Sequence, residues 1–280
     1  MKLKPVDWIF VVYQLLLIVI IISYRNNISK IDYRYLIAGH SAVVLLVMFG
    51  VSRVQNTIIR NFYYFFILPF LYKEIGLLNH ILIPYPKDEI FIRLDKMIFS
   101  GENIGLTFCK HFSSKMFSEI MHFFYFSYYL VTFLPALYIL KKYPGEFDKY
   151  MFVVFLSFFL FYIIYIFYPV YGPEFYSNFI GEKVKPFKGW YFTKTLGFIL
   201  GSGEINGAAF PSSHVGIALI IFLLVKNKNK IVAGLVFICF LGICLATVYC
   251  RAHYFVDIVA GIAVALVFYW VCAYIYDNLI

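Results

Sequence analysis

Six long stretches without a charged residue limit the fold of this chain more than any other feature. An α-helix needs about 20 apolar residues to cross the hydrocarbon core of a bilayer, and each stretch has close to that length. The chain is 62% hydrophobic and 14% charged, whereas roughly a quarter of the residues of a soluble domain are charged. The sequence therefore predicts an all-α, polytopic membrane helical bundle, with spans at residues 8–24, 35–52, 120–140, 150–171, 231–250 and 258–276.

Two weaker apolar segments complete the predicted bundle. Residues 61–80 are apolar except at Lys73 and Glu74, and residues 212–225 form a shorter segment that ends before Lys226. With both segments, the expected number of transmembrane helices is about eight. The first stretch lacks a small-residue cleavage site, so we interpret it as a retained helix and not as a signal peptide.

The loop charges indicate an orientation and give no sign of a nucleic-acid partner. The net charge is +9, but the lysines and arginines are scattered through short loops without a basic stripe, so we expect no nucleic-acid binding. If the N-terminus is cytoplasmic, the cytoplasmic loops carry roughly twice the density of positive residues, as the positive-inside rule requires. The five cysteines show no paired spacing, and we interpret them as buried free thiols.

Three polar motifs stand at helix ends, where charge near the membrane is costly and usually functional. They are residues 168–173 (YPVYGP), 210–216 (FPSSHVG) and 249–257 (YCRAHYFVD). The first closes the fifth predicted span, the second opens the sixth, and the third joins the seventh to the eighth. All three therefore lie on one side of the membrane, which is the extracytoplasmic side if the N-terminus is cytoplasmic.

The third motif carries a candidate nucleophile. His253 and Asp257 are four residues apart and share a face if this segment is helical. Asp257 can then accept the imidazole Nδ1–H and leave Nε2 unprotonated and nucleophilic, as in a catalytic triad. Arg251 offers a planar set of donors that suits phosphate oxygens.

The second motif predicts an anion site at a helix start. Pro211 is favourable there because its missing N–H is not needed. Ser212 and Ser213 can cap the helix and present hydroxyls, and free backbone N–H groups at such a terminus bind anions. His214, in the first turn, can protonate a leaving oxygen. The two motifs together predict phosphoryl transfer through a phosphohistidine.

These motifs resemble signatures of the type 2 phosphatidic acid phosphatase superfamily, whose members are membrane lipid phosphatases and phosphotransferases. The family's Pro-Ser-Gly-His signature is similar to residues 211–214 (PSSH), with serine in place of glycine. The His, three residues, Asp half of another signature matches at His253 and Asp257. Its Ser-Arg half is replaced by residues 246–247 (AT).

The displaced Arg251 and the motif at 168–173 resemble the branch that contains inositol phosphorylceramide synthase, although Glu174 stands where that branch has an arginine. The first family signature, Lys, six residues, Arg-Pro, is absent. The resemblance therefore leaves the phosphate-binding cation to Lys183, Lys185 or Lys188, and Lys185 is our assignment beside Arg251.

The resemblance implies roles for the residues and a division of the chain. His253 is expected to be the nucleophile, His214 the general acid and Asp257 the residue that orients the imidazole, with Ser212 and Ser213 beside the phosphate. No metal and no cofactor are expected. The division would be a six-helix core at 61–280 preceded by two transmembrane helices at 1–60.

Several functions stay open from the sequence. The first is a phosphatase that releases phosphate from a membrane lipid phosphate. Its close alternative is a transferase that moves a phospho-headgroup onto ceramide or diacylglycerol. A metal enzyme with His214, His253 and Asp257 as ligands, and a non-catalytic lipid-phosphate binder or transporter, are the others. The Lys-, Ile-, Asn- and Phe-rich composition indicates a bacterial source, so we expect a bacterial plasma membrane, and the loop charges put the site on its extracytoplasmic side. The sequence gives no expectation for the oligomeric state.

Overall fold

The computed structural model describes residues 2–83, 85–181, 186–203 and 205–280, and these ranges contain helices and loops but no strand. The first six helices are α1 (Pro5–Ser23), α2 (Lys30–Leu45), α3 (Thr57–Leu82), α4 (Asp88–Ile98), α5 (Ile104–His111) and α6 (Lys115–Lys142). The other six are α7 (Phe147–Phe167), α8 (Pro173–Phe179), α9 (Tyr191–Gly203), α10 (Ser213–Val225), α11 (Lys230–Tyr249) and α12 (Phe255–Leu279).

Seven of these helices are long and apolar enough to cross a membrane: α1, α2 with the turns that follow it, α3, α6, α7, α11 and α12. The prediction of an all-α membrane bundle is therefore confirmed, and the weak segment around Lys73 and Glu74 lies inside the 26-residue α3. These helices indicate a multi-pass integral membrane protein.

The eighth predicted span is a short helix. α10 has 13 residues, or about 20 Å at 1.5 Å per residue, against about 30 Å of hydrocarbon. It ends at Val225, and Lys228 in the following turn pairs with Glu146, which directly precedes α7. α10 is therefore about 10 Å shorter than the hydrocarbon core and does not span it by itself.

The centre of the bundle is α7, in which 72% of the most apolar 18-residue stretch is buried. α7 contacts α1, α3, α6, α10 and α12, and α11 packs against both α6 and α10. α2 contacts α1, and only 17% of its most apolar window is buried. α10 and α12, which carry polar motifs, thus pack against α7, which ends in the first motif, and α2 lies at the edge.

Two glycines fix the start of α10 between its neighbours. A Cβ at Gly261 of α12 would lie 2.6 Å from the carbonyl oxygen of Ser212, and one at Gly216 would lie 2.4 Å from the ring of Phe161 in α7. Small residues at helix crossings let backbones approach closely inside membranes. α12 and α7 therefore hold the first turns of α10 from two sides.

Candidate active site

The three polar motifs meet at one end of the bundle, as their order along the chain predicts. Backbone hydrogen bonds join them: Ala209 N to Val170 O at 2.9 Å, Ser212 N to Asp257 O at 3.0 Å, and Glu174 N to Arg251 O at 2.9 Å. These contacts tie the connections α7–α8, α9–α10 and α11–α12 into one backbone framework. The side chains that they carry are consequently held near one another.

His253 lies in the tight connection between α11 and α12. Its backbone N–H donates to Thr247 O at the end of α11, 3.2 Å away, and only 3% of the residue is exposed. Its Nδ1 lies 2.8 Å from Ala209 O. A carbonyl oxygen only accepts, so Nδ1 carries the proton in this arrangement and Nε2 presents its lone pair.

His214 faces that lone pair from the first turn of α10. Its Nδ1 lies 3.3 Å from His253 Nε2, and the ring centroids are 5.4 Å apart at an interplanar angle of 69°. On its other side the ring contacts Tyr125 and Tyr128 of α6, with centroids at 5.0 and 4.4 Å. The two histidines predicted from the sequence therefore form a direct pair.

Asp257 pairs with His253 at a longer distance than a hydrogen bond, because the Nδ1 proton has a nearer acceptor in Ala209 O. Asp257 Oδ2 lies 3.6 Å from His253 Nδ1, beyond hydrogen-bond distance, and accepts instead from the backbone N–H of Tyr254 at 2.8 Å. His253 precedes α12, so the two side chains do not share a helical face. Asp257 lies in the first turn, where a carboxylate satisfies a free N–H, and Ala209 O takes its expected place.

The start of α10 is capped as predicted. Ser212 Oγ accepts from Val215 N at 3.4 Å, and the residue is fully buried. Ser213 N donates to Tyr165 Oη at 3.0 Å, and Gly216 N donates to Ser212 O at 3.0 Å. Most N–H groups of this turn therefore already have acceptors inside the protein, and the Ser212 hydroxyl serves the cap.

Arg251 is held by Glu174, a contact that the sequence analysis missed. Its Nε donates to Glu174 Oε2 at 2.7 Å, and its guanidinium carbon lies 4.1 Å from the centroid of Phe187. Arg251 is 3% exposed and adopts a left-handed φ of 60°. Glu174, which stands where the related branch has an arginine, thus pairs with Arg251.

Two acidic residues of α4 hold the site loops in place and were not predicted as site residues. Asp88 accepts from Tyr171 N and Gly172 N, both at 2.8 Å, and from Tyr254 Oη at 2.9 Å. Asp95 caps α12 through the backbone N–H groups of residues 255 and 256, at 2.9 and 3.1 Å. The signal in the sequence is their spacing of seven residues on α4, which puts them on one face with Phe91.

Burial sets the electrostatics of these two carboxyl groups. It raises the pKa of Asp88 above its ordinary value, and the three hydrogen bonds that Asp88 accepts offset part of the rise. Burial raises the pKa of Asp95 in the same way, again opposed by its two N–H donors. The hydrogen bonds that these two groups accept from described residues come from backbone N–H groups and the Tyr254 hydroxyl, so they position loops.

Glu119 of α6 performs the same task for α9. It accepts from the backbone N–H groups of Trp190, Phe192 at 2.9 Å and Thr193 at 3.1 Å. α9 packs against α6, with Leu196 fully buried. α9 is therefore anchored by a carboxylate of α6 at its first turn as well as by packing.

A cavity of about 380 Å³ opens beside the histidine pair. His214 and Ser213 border it at one end, and Lys73 of α3 borders it as well. Aromatic and aliphatic side chains of α3, α6, α7 and α9 form the rest of the wall: Phe65, Leu68, Pro69, Tyr72, Tyr125, Tyr128, Tyr129, Thr132, Phe133, Phe158, Tyr162 and Ile199.

Two of the lysines predicted to bind the phosphate, Lys183 and Lys185, lie outside the described residues, so their expected role stays a prediction. Across the part of the chain that the structure describes, no group of three or more His, Cys, Asp or Glu side chains has the arrangement of a metal site.

One comparison with known proteins identifies a family for this chain. The family model described as the PAP2 superfamily matches residues 101–271, a range that contains all three polar motifs. No curated protein and no solved structure matches the chain. The matched range covers more than half of the sequence and includes both histidines of the pair. The chain therefore belongs to the PAP2 superfamily.

Proposed function

We propose that this protein is a membrane lipid phosphate phosphatase that works through a phosphohistidine on His253. Membership of the PAP2 superfamily supports a phosphatase or phosphotransferase activity. The observation that carries the proposal is the histidine pair: Nδ1 of His253 is bound to a carbonyl, and Nε2 faces His214 at 3.3 Å. Phosphoryl transfer needs a nucleophilic nitrogen and a nearby group that can donate and accept a proton, and the two imidazoles supply both.

In the first half-reaction, His253 Nε2 attacks the phosphorus of the lipid phosphate. The P–N bond forms as the P–O bond to the lipid breaks, and His214 gives a proton to the leaving oxygen. The two rings must part by the thickness of the phosphoryl group, because their nitrogens are now at 3.3 Å. His214 then borders the phosphoryl oxygens.

In the second half-reaction, water attacks the phosphohistidine. His214 takes a proton from that water, the P–N bond breaks, and free phosphate leaves with His253 restored. Asp257 has its carboxylate 3.6 Å from Nδ1, where a negative charge stabilises the positive imidazole that develops as Nε2 bonds to phosphorus.

The phosphate oxygens need donors, and we propose Ser213 and Arg251 for this role, with Ser212 acting through its cap. Ser213 borders the same cavity as His214. Arg251 is anchored through Nε by Glu174, so binding to phosphate would compete with that pair. Lys185 stays part of the proposal as a residue outside the described ranges.

Transfer onto a lipid alcohol is the second candidate. It differs in the donor, a phospholipid diester whose headgroup stays on the phosphoryl group bound to His253 while its lipid alcohol leaves, and in the acceptor, a lipid alcohol in place of water. The residue roles above are the same. The apolar lining of the cavity beside His214 favours it, because a lipid alcohol competes well with water in such surroundings. The resemblance to the inositol phosphorylceramide synthase branch points the same way.

The proposed location is a bacterial plasma membrane with the site on the extracytoplasmic side. The lysine-rich end of the bundle, with Lys141 and Lys226, would then be cytoplasmic, in agreement with the positive-inside rule. The proposed division places α3, α6, α7, α10, α11 and α12 in the six-helix core, with α1 and α2 in front.

The experiment is phosphate release from a panel of lipid phosphates by the purified protein in detergent with excess chelator, beside the His253→Ala variant. We expect release by the wild type and none by the variant. Release that requires a divalent metal would overturn the metal-free chemistry. Headgroup transfer onto added ceramide or diacylglycerol without release would establish the second candidate, and binding without turnover would replace both.

A further inference from the structure

Lys73 is a charged residue in the middle of a membrane-spanning helix. It lies 16 residues after the start of the 26-residue α3, or about 24 Å along the helix axis. Charges at such depth are rare, and they usually face a cavity or a functional site. Lys73 has no hydrogen bond or ion pair among the described residues, whereas its neighbour Glu74 pairs with His40 Nε2 at 2.8 Å.

Lys73 and His214 differ in depth by about 7 Å, measured along α3 and α10 from the lysine-rich end of the bundle. His214 is 11 residues before the end of α10, about 17 Å along its axis, and α10 ends at the lysine-rich end, where α3 begins. Both residues border the cavity of about 380 Å³. A flexible lysine side chain of this position can therefore serve the same ligand as His214.

The rest of the cavity wall suits hydrocarbon. Its lining is almost wholly aromatic and aliphatic, and Thr132 uses its hydroxyl on Tyr128 O of its own helix, at 2.7 Å. The volume is near the small end of ligand pockets, about 300–1,000 Å³. One hydrocarbon chain, or the first part of it, fits this space better than two chains side by side.

We propose that this cavity holds the hydrocarbon chain of the lipid phosphate, and that Lys73 binds its anionic headgroup beside His214. The proposal rests on the proposed function for the identity of the headgroup. It adds a substrate class, a phosphate carried on a slender single chain. It also adds a cation from α3, which precedes the matched range 101–271 and is therefore no part of the family motifs.

The binding test uses a single-chain alkyl phosphate with a diazirine in the chain, photolysed with purified protein in detergent. The His253→Ala background is included so that turnover does not matter. We expect labelled peptides from α6 around Thr132 and from α3 around Leu68. Labelling confined to lipid-facing positions such as Leu134, which is 53% exposed, would overturn the proposal.

The kinetic test uses a series of alkyl phosphates of increasing chain length. Thr132→Phe, and the gentler Thr132→Leu if the first does not fold, should lower the ratio of long-chain to short-chain kcat/KM about tenfold. Leu134→Phe on the outer face of the same helix is the matched control and should leave that ratio unchanged. An unchanged ratio in both Thr132 variants would contradict the proposal.

The charge test compares Lys73→Met with Lys73→Arg. Loss of a charged donor to phosphate should raise KM about tenfold or more in the first variant, and arginine should restore most of it. Lys141→Met at the far end of α6 is the control. An equal KM in Lys73→Met and wild type would remove Lys73 from the site. If no substrate turns over but cavity labelling still needs Lys73, the proposed function fails and the lipid site stands.

Discussion

Two buried polar clusters lie at opposite ends of this bundle, and they differ in how many hydrogen bonds the aspartate in each cluster accepts. At the lysine-rich end, the fully buried Asp7 accepts hydrogen bonds from Lys4 N, Arg60, Tyr63 and Tyr64. At the other end, Asp257 is also fully buried, but its Oδ1 has no hydrogen-bond partner among the described residues. The two imidazoles there contact each other at 3.3 Å.

The comparison teaches that burial of charge does not by itself identify a functional site. A carboxylate whose oxygens both have several donors, as Asp7 has, stabilises one arrangement of α1 against α3. A carboxylate that leaves one oxygen without a donor, as Asp257 does among the described residues, keeps capacity for a ligand or for chemistry. On this reasoning, the Asp7 cluster is structural and the His253 cluster is functional.

The largest expected contrast is between His253→Gln and Asp7→Asn. The first should lower kcat by about 10³-fold or more, because the nucleophile is lost, and should leave the thermal unfolding temperature nearly unchanged. The second should leave kcat of the folded protein unchanged but destabilise it by about 3–5 kcal/mol, because Arg60 stays buried without its partner.

Measurements of kcat and of thermal unfolding on both variants check this contrast. The double variant Asp7→Asn, Arg60→Met is the control and should regain part of the stability, since no buried charge is left. A loss of kcat in Asp7→Asn as large as that in His253→Gln would break the distinction between the two clusters.

The next effect is that of His214→Gln. Loss of a general acid should lower kcat by about 10²- to 10⁴-fold for an alkyl phosphate. The deficit should shrink for para-nitrophenyl phosphate, whose leaving oxygen needs little protonation. Steady-state rates on both substrates give the result, and an equal deficit on both would show that His214 does not protonate the leaving group.

Asp257→Asn should have an intermediate effect, about 10- to 100-fold on kcat. The variant removes the negative charge 3.6 Å from His253 Nδ1 and so destabilises the positive imidazole. An asparagine oxygen can still accept from Tyr254 N, so the thermal unfolding temperature should change little. Asp257→Ala is the comparison that loses the cap as well. Wild-type kcat in Asp257→Asn would mean that Ala209 O alone orients the ring.

The smallest effect is expected from Glu174→Gln. If Arg251 binds phosphate, weakening its pair with Glu174 should lower KM for a lipid phosphate about threefold. Initial rates over a range of substrate concentrations measure this. An unchanged KM together with a lower unfolding temperature would assign Arg251 to holding the loop before α8.

The spans and the meeting of the motifs were predictable from the sequence, for physical reasons. A charge-free stretch such as 231–250 has no stable place outside the bilayer, and helices that alternate in direction bring the three motifs to one side. The histidine pair followed from this order, because His253 and His214 stand at helix ends on that side.

The contacts that orient the pair were not predictable. Ala209 O reaches His253 from a segment 44 residues away, and a backbone carbonyl leaves no mark in a sequence. The pairing of Arg251 with Glu174 depends on a backbone framework that only the fold defines. Lys73 gave a partial signal as a charge inside an apolar segment, but its side of α3 could not be read from one position.

The most direct test of the central claim is detection of the phosphoenzyme. A lipid phosphate labelled in its phosphate is mixed with the purified protein, quenched within milliseconds at alkaline pH, digested and analysed by mass spectrometry. The account predicts an acid-labile phosphate on Nε2 of His253, absent from His253→Gln and accumulating in His214→Gln with para-nitrophenyl phosphate. Steady turnover without any phosphorylated His253 would contradict it.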